Sequence, residues 1–523
     1  MVKFNWEGKR KATEFLNSLK HEKKGEFKVI ESIISPINEN IRREPNLIYH
    51  IGENEVINLE KEQSWENQLY WADNYEVMKF LLQNFREKVN LIYFDPPFAT
   101  GGDFNYIIQI GESEASKSSS KWLRKTAYRD TWKEGFESYL NFMYERLLLM
   151  KELLSQEGSI YVHLDWHMGH YIKVLMDELF GVDNFRNEII WAYPAASVQT
   201  RRFYIRSFDV LLFYTKSNDY TFNDDPNIYM EYSDRVKKAL KQDEKGIYYY
   251  RGGSHNGKKL SQKVYIKEKG IFPRDVWNDI PYVRANTIEY QGFSTQKPER
   301  LLKRIILAST NKNDLIADFF CGSGTTLAVA EKLSRRWIGC DIAMHAIHIT
   351  KKRLLDIYNS NDILNWKNIY GKSIRPFKIY QINKAEKKQL IPTEFLAESV
   401  DHKVNFNTFE KPSFKVKIEK KENMMFFKLI DYSFPYENLI SVKLKKNIKK
   451  WSDWIDYWAI DFDNKSDIFT VMWFSYRTPK NRDLKLISIG YNFTKEKSYN
   501  VLIKVIDIFG IETIQEYNID GII

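Results

Sequence analysis

The segment Asp314–Ile342 constrains the fold more than any other part of the chain. An apolar run, Asp314–Phe320, leads into the loop Cys321–Gly324; a stretch with helical periodicity follows, and a second apolar run ends at Asp341. The order strand, glycine loop, helix, strand, acid is typical of a parallel sheet with helices on its faces. Glycines let the backbone approach a ligand closely, and the terminal acid can accept both hydroxyls of a ribose. The segment therefore predicts an α/β domain that binds a nucleoside.

The glycine pattern separates the classes of nucleotide that this unit could hold. A dinucleotide fingerprint has a third glycine near Leu327, and this chain has none there. No G-x-x-x-x-G-K-[ST] run occurs either, which argues against a P-loop ATPase. S-adenosylmethionine carries a ribose but no phosphate, so it needs no pyrophosphate cradle. The pattern thus favours a methyl donor over a nicotinamide cofactor.

A second informative run lies much earlier in the chain. The apolar stretch Val89–Phe94 ends at Asp95-Pro96-Pro97-Phe98. The prolines fix φ and remove backbone donors, so carbonyl oxygens and one carboxylate face a small space beside an aromatic ring. Such acceptors suit a planar group that carries an NH2. A strand followed by an ordinary proline turn is the simpler interpretation of this run alone.

Several ordered motifs identify a family. Asp318–Asp341 resembles the donor-binding motif of S-adenosylmethionine-dependent DNA amino-methyltransferases, and Asp95–Phe98 resembles their D-P-P-Y/F catalytic motif. The catalytic motif comes first, as in the β class, and the set resembles the Mod subunits of type III restriction systems. Phe98 and Phe319 depart from the commoner tyrosine and proline. Further matches are Trp71–Asn74, Tyr128–Trp132, Gly158–Asp165, Asp275–Pro281 and Thr295–Leu302.

The resemblance implies methyl transfer from S-adenosylmethionine to the amine of a base flipped out of a duplex. Asp95 and the Pro96 carbonyl are expected to accept the amine hydrogens while Phe98 stacks on the base. Asp341 is expected to hold the donor's ribose and Lys297 its carboxylate. The implied catalytic residues are Asp95, Pro96, Pro97 and Phe98. The implied donor-binding residues are Asp318, Phe320, Cys321, Gly322, Gly324, Asp341, Gln296 and Lys297, with Asp73 and Asn74 near the donor's adenine.

The first residue of the catalytic motif indicates the target base. By resemblance, an aspartate there goes with adenine, and serine is commoner in cytosine-N4 enzymes. We therefore predict a site-specific DNA adenine-N6 methyltransferase of a restriction-modification or related defence system. The alternatives are a cytosine-N4 enzyme, an RNA methyltransferase, and a DNA-binding specificity subunit that is not catalytic.

Changes in composition and hydrophobic pattern along the sequence divide the chain into four predicted regions. We predict an N-terminal extension (1–60), a catalytic domain (61–193 and 291–372), an inserted target-recognition region (194–290) and a C-terminal β-rich domain (373–523). The predicted fold is a Rossmann-like α/β methyltransferase domain with a mixed, mostly parallel sheet, followed by an all-β, sandwich-like domain. In the latter, Tyr499–Val505 and Thr513–Ile514 predict a hairpin. Its role in DNA contact, partner docking or structure stays open.

Basic and aromatic residues accumulate in the predicted target-recognition region. They include Arg201, Arg202, Arg206, Lys237, Lys238, Lys241, Arg251, Lys258, Lys259 and Lys263, with Tyr248, Tyr249 and Tyr250. This mixture suits contacts to phosphates and base edges, and a solvated loop is the alternative. The loop from Ala99 to Lys121, rich in glycine and serine, is expected to be mobile and to order over the flipped base.

Charge and composition suggest partners and compartment. A net charge of +10 favours a polyanion, here double-stranded DNA, although a lysine-rich proteome would give the same balance. A separate restriction or helicase subunit and a second copy of the chain are further candidate partners. No apolar run approaches a membrane span, and Met1–Glu7 does not resemble a signal peptide. With only Cys321 and Cys340, the chain has no disulfide framework, which fits the cytoplasm.

One cluster of histidines and an aspartate has the residue types of a metal site. His163, Asp165 and His167 would share one face of a strand, with His170 nearby. The alternative is that Asp165 caps a helix that runs from about Met168 to Phe180. The family needs no metal in this segment, and we predict none.

Overall fold

A computed structural model describes most of the chain. The described residues are 4–22, 25–34, 65–99, 102–111, 122–129, 135–194, 202, 204–255, 258–266, 270–382, 410–422, 424–493 and 498–520. The predicted contact residue Arg201 lies outside them.

Helices and strands alternate through the first part of the chain, and strands dominate the last. The helices are α1 (Ala12–Ser18), α2 (Asn74–Phe85), α3 (Phe136–Leu153), α4 (Gly169–Phe180), α5 (Asp234–Lys238), α6 (Glu299–Ser309), α7 (Thr325–Lys332), α8 (Met344–Leu355) and α9 (Val442–Lys445). The strands up to residue 265 are β1 (Phe27–Ile33), β2 (Asn67–Trp71), β3 (Val89–Phe94), β4 (Asp103–Gln109), β5 (Trp122–Arg129), β6 (Leu154–Leu164), β7 (Phe185–Ala192), β8 (Phe208–Thr215), β9 (Lys241–Asp243), β10 (Gly246–His255) and β11 (Lys258–Tyr265). The later strands are β12 (Val276–Trp277), β13 (Leu315–Asp318), β14 (Arg336–Asp341), β15 (Phe377–Ile382), β16 (Ser413–Lys421), β17 (Met424–Ser433), β18 (Ile455–Asp461), β19 (Phe469–Val471), β20 (Trp473–Tyr476), β21 (Tyr491–Asn492), β22 (Tyr499–Asp507) and β23 (Glu512–Ile519).

A mixed sheet forms the centre of the protein, in the order β12-β7-β8-β6-β3-β13-β14-β2-β15-β1-β19. The run from β6 to β15 is parallel throughout. Antiparallel pairs join β8 to β6 and β7, and β1 to β15. The inner strand β3 consists of apolar residues interrupted by one asparagine because a parallel strand is covered on both faces. The predicted α/β fold with a mixed, mostly parallel sheet is confirmed.

Helices cover both faces of this sheet. On one side α2, α3 and α4 pack in a core that includes Val77 and Leu147. On the other side α6, α7 and α8 pack in a core that includes Ile305 and Val329. Both cores are built from helix faces of repeating apolar residues. Because these helices cover the faces of the sheet and not its edge, the loops at the carboxyl ends of the parallel strands are available to form a site.

The sheet also takes strands from outside residues 61–193 and 291–372, the predicted catalytic domain. β1 comes from the N-terminal extension, β8 and β12 from the predicted target-recognition region, and β15 and β19 from the C-terminal part. Edge pairing of this kind depends on backbone hydrogen bonds between distant segments, which local periodicity does not encode. Within residues 194–290, β9, β10 and β11 make a separate three-stranded sheet.

The C-terminal part contains two antiparallel sheets, β16-β17-β21 and β20-β18-β22-β23. They share one core, to which Phe427, Trp458 and Val501 contribute. β22 and β23 pair as a hairpin from Tyr499 to Ile519, as predicted. The predicted sandwich-like, antiparallel architecture of the C-terminal region is thereby confirmed, whereas its boundary as a domain at residue 373 stays a prediction.

The segment predicted as a mobile loop is partly ordered structure. Within Ala99–Lys121, β4 pairs antiparallel with the following strand β5. The prediction of a continuous loop is therefore wrong for 103–109, because the partner strand that stabilises β4 lies beyond the glycine- and serine-rich segment. Residues 100–101 and 112–121 lie outside the described residues. In the part of the chain that is described, no helix has the length and apolarity needed to cross a membrane.

Candidate active site

The two predicted motifs meet at the carboxyl edge of the central sheet. β3 and β13 are neighbouring parallel strands, with Tyr93 opposite Asp318, so the loops that follow them leave the sheet side by side. In open α/β sheets this edge holds the ligand. The predicted residues that line one shared cavity are Asp95, Pro96, Pro97, Phe98, Gln296, Lys297, Asp318, Phe320, Cys321, Gly322 and Asp341. The topology thus unites motifs that are far apart in the chain.

The glycine loop after β13 has a backbone that side chains disfavour. Gly322 and Gly324 have φ values of 50° and 72°. A Cβ on Gly324 would lie 2.8 Å from the Thr350 side chain. Thr350 donates its hydroxyl to the Gly322 carbonyl at 3.0 Å, and the Gly322 N–H donates to Asp341 Oδ2 at 3.0 Å. The loop is thereby tied to α8 and β14, and Gly324 serves as the residue from which α7 begins.

The loop after β3 is held at three points. The ammonium Nζ of Lys297 donates to Asp95 Oδ2 at 2.5 Å. The Tyr139 hydroxyl donates to the Pro97 carbonyl at 2.8 Å. The Phe98 ring stacks on the His163 ring, with centroids 6.1 Å apart and an interplanar angle of 27°. The acid, a proline and the aromatic ring of the motif therefore all have defined positions.

A buried polar chain beneath Phe98 was missed by the sequence analysis. Tyr93 Oη lies 2.7 Å from His163 Nδ1, and His163 Nε2 lies 3.1 Å from Asp209 Oδ2. Tyr193 donates to Asp209 Oδ1 at 2.9 Å. Although burial opposes ionisation of Asp209, the hydrogen bond from His163 holds its pKa below the usual value. An ionised Asp209 only accepts, so His163 donates to it from Nε2.

The candidate metal cluster is divided between different partners. His163 bonds Tyr93 and Asp209. Asp165 instead accepts the backbone N–H of His167 at 2.9 Å in the turn before α4. Among the residues that the structure describes, no group of three or more His, Cys, Asp or Glu side chains could hold a metal ion.

Three other predicted donor-binding residues have structural contacts. Asn74 donates to the Phe319 carbonyl at 3.0 Å and accepts from Arg146 at 2.7 Å, so it anchors the start of the donor loop from behind. Asp73 accepts from Tyr75 N–H at 2.8 Å and begins α2. Gln296 lines the cavity, yet both ends of its amide bond backbone groups of residues 289 and 291. Direct contact of these residues with a donor stays a prediction.

Comparison with known proteins assigns the site to a family. A family model described as DNA methylase matches residues 89–352. The chain belongs to the DNA methylase family. The match begins at the first residue of β3 and ends in α8, so it contains both loops of the cavity.

Curated relatives agree with this assignment. The type II methyltransferase M.EcaI of Enterobacter cloacae is 31% identical in an alignment 330 positions long, gaps included, that covers 55% of this chain and 69% of that protein. The DNA adenine methyltransferase YhdJ of Escherichia coli strain K12 is 31% identical over 269 residues, 51% of this chain and 76% of YhdJ. The probable type III HindVI Mod subunit of Haemophilus influenzae is 23% identical in an alignment 504 positions long, gaps included, that covers 72% of this chain and 64% of the subunit. The predicted enzyme class, its DNA substrate and its methyl donor, S-adenosylmethionine, are confirmed at the level of the family.

The cavity of this methylase suits that donor chemically. Asp341 accepts the N–H groups of Gly322 and Ala343, and its carboxylate, with four lone-pair sites, keeps acceptor capacity for a ribose hydroxyl. Asp318, bonded to the Phe320 N–H at 3.0 Å, can face the donor's ammonium group. Lys297 can face the donor's carboxylate. The donor set therefore offers a complementary group for each polar end of S-adenosylmethionine.

Donor affinity is expected to fall as the pH is lowered. Burial raises the pKa of Asp318 to about 7 and the pKa of Asp341 to about 6. The predicted donor contacts require both acids in their ionised forms, so below these pKa values binding is expected to need the release of a proton first. We expect S-adenosylhomocysteine to bind at least about tenfold more weakly at pH 5.5 than at pH 7.5 in isothermal titration calorimetry. Asp318→Asn should leave only the smaller pH dependence that comes from Asp341, and a flat profile in the unaltered protein would contradict this assignment.

Proposed function

We propose that the methylase transfers the methyl group of S-adenosylmethionine to N6 of adenine in double-stranded DNA. The observation that carries the proposal is the shared cavity of Asp95–Phe98 and the donor loop at Gly322. An aspartate and proline carbonyls next to an aromatic ring are suited to an exocyclic amine on a planar base. The name of YhdJ, a DNA adenine methyltransferase, supports adenine rather than cytosine.

Each part of the loop has a role in this reaction. The donor supplies an electrophilic methyl group on a sulfonium sulfur. Asp95 and the Pro96 carbonyl accept the two amine hydrogens, which draws the nitrogen lone pair out of conjugation with the ring. Asp95 can also take the proton that the amine loses on methylation. Most of the remaining rate gain is the positioning of the nitrogen against the methyl carbon.

Phe98 provides the surface on which the flipped base stacks. Base flipping is needed because the amine is inaccessible inside a duplex. The ring of His163 supports Phe98 from behind, and Asp209 and Tyr93 fix the orientation of that imidazole. The polar chain is therefore a positioning device for the stacking ring.

We propose that the small sheet β9-β10-β11 contacts DNA outside the cavity. Tyr250 is 49% exposed, and its neighbour Arg251 is exposed as well. Lys263 Nζ lies 3.9 Å from the centroid of the Tyr248 ring. Cations combined with exposed rings suit phosphate contacts and base reading. The sheet is therefore our candidate for target recognition.

The similarity to a Mod subunit supports a role in restriction-modification. The alignment with the HindVI Mod subunit spans more of the chain than the family model does, 72%. We propose that a separate restriction or helicase subunit supplies any cleavage activity, and that a second copy of the chain is a further candidate partner. A DNA substrate accords with the predicted cytoplasmic location.

Methyl transfer to DNA tests the proposal directly. The full-length protein would be incubated with tritiated S-adenosylmethionine and unmethylated bacterial DNA, and the DNA would then be hydrolysed to nucleosides. We expect the label in N6-methyl-2′-deoxyadenosine. Label in N4-methyl-2′-deoxycytidine would overturn the choice of adenine. In a parallel incubation with RNA as acceptor, faster labelling than with DNA would overturn the choice of DNA. DNA binding without any incorporation would favour the non-catalytic specificity subunit.

A further inference from the structure

The contact between Lys297 and Asp95 creates a conflict for the proposed reaction. The two atoms Nζ and Oδ2 lie 2.5 Å apart, and the side chains are only 11% and 17% exposed. The ammonium also lies 5.6 Å from the centroid of the Phe98 ring. It therefore neutralises Asp95 and occupies one of its two acceptor oxygens, Oδ2, close to the ring on which the base would stack.

Lys297 has a second anion available to it when the donor binds. Among the described residues that line the cavity, Lys297 is the one lysine or arginine, whereas Asp95, Asp318 and Asp341 are acids. The carboxylate at the methionine end of the donor enters this acidic cavity and requires a cation. An ammonium on a flexible four-carbon stem can move between two neighbouring carboxylates.

We propose that Lys297 is a positioning residue that couples the two substrates. Without the donor it neutralises Asp95; with the donor it pairs with the donor's carboxylate and frees Asp95 for the target amine. This role of Lys297 rests on the proposed function, in which Asp95 accepts the target amine. It implies that donor binding precedes productive capture of the base, because the exchange of partners turns Asp95 into a free acceptor.

The exchange can be tested by donor binding alone, without DNA. S-adenosylhomocysteine is the probe because it has the carboxylate but no sulfonium charge. Lys297→Met should weaken its binding at least about fivefold, and Asp95→Asn should strengthen it at least about fivefold by releasing Lys297. In the double variant the gain from Asp95→Asn should disappear, since the cation that it released is gone.

A matched ligand separates this role from a structural one. Methylthioadenosine lacks the amino-acid end, so its affinity should change less than about twofold in all three variants. Unchanged or weaker binding of S-adenosylhomocysteine to Asp95→Asn would overturn the proposal. Equal losses for both ligands in Lys297→Met would overturn it too, because they would show a deformed cavity. Neither measurement depends on methyl transfer, so the proposed function and the coupling can fail separately.

Discussion

Asp95→Asn is expected to abolish methyl transfer, with a loss of about 10³-fold or more in rate. The change keeps the shape of the side chain but removes its charge and turns one of its two acceptor oxygens into a donor. The target amine then loses an acceptor that is placed for the transition state, and such losses cost about 10²–10³-fold in other enzymes. Misplacement of the base adds to the loss. The initial rate of tritium incorporation into DNA measures the effect.

Two measurements make this result specific. S-adenosylhomocysteine should still bind the variant, because the acids Asp318 and Asp341 are intact. Asp183 is an exposed aspartate three residues after the end of α4. Asp183→Asn is therefore a matched control that should keep full activity. Transfer by Asp95→Asn at the normal rate would remove Asp95 from the mechanism, and loss of donor binding would place it in the donor site instead.

The parts of the site that the sequence predicts are those with a local signature. The acid and prolines after β3 and the glycines after β13 come soon after a buried strand, and the acid Asp341 is the last residue of β14. Because parallel strands end at the same sheet edge, the convergence of Asp95, Gly322 and Asp341 could be inferred from the order of elements alone. The hairpin at Tyr499 has the same origin, since its alternation is local.

The parts that were missed depend on contacts between distant segments. Asp209 lies next to His163 because β8 pairs antiparallel with β6. The sequence of residues 208–215 does not show which residues of β6 they pair with. Lys297 and Asp95 are paired across 202 positions. The pairing of β1 with β15 could not be predicted from the sequence either. Such pairing depends on backbone hydrogen bonds and on contacts of side chains such as Glu31, and periodicity does not reveal these.

Glu31 joins three distant segments through buried charges. It is 3% exposed on β1, and its carboxylate accepts from Lys351 of α8 at 3.0 Å and from Lys504 of β22 at 3.2 Å. Lys504 also contacts Glu512 at 3.2 Å. Lys351 directly follows Thr350, the residue that holds the glycine loop. The N-terminal strand and the C-terminal domain thereby support the helix behind the donor site.

Glu31→Gln is expected to lower the free energy of unfolding by about 3–5 kcal/mol. It removes the shared carboxylate and leaves two buried ammonium groups, of which only Lys504 keeps an anionic partner, Glu512, in the described structure. Urea denaturation followed by tryptophan fluorescence measures the change. The matched control is Glu152→Gln, which breaks a surface pair with Arg86 and should cost at most about 1 kcal/mol. Equal effects of the two changes would show that the Glu31 network is not a stabilising link.

The pH dependence gives an independent check on the same network. Burial alone would raise the pKa of Glu31, but Lys351 and Lys504 hold it at about 2, below the ordinary value of 4.5. A lowered pKa means that the ionised form stabilises the fold above pH 4.5, and that this contribution is lost as the pH falls towards 2. The difference in unfolding free energy between the unaltered protein and Glu31→Gln should therefore be constant above about pH 5 and shrink below it. A difference that stays constant down to pH 3 would assign the destabilisation to altered packing, because a charge effect must fade as the carboxylate is protonated.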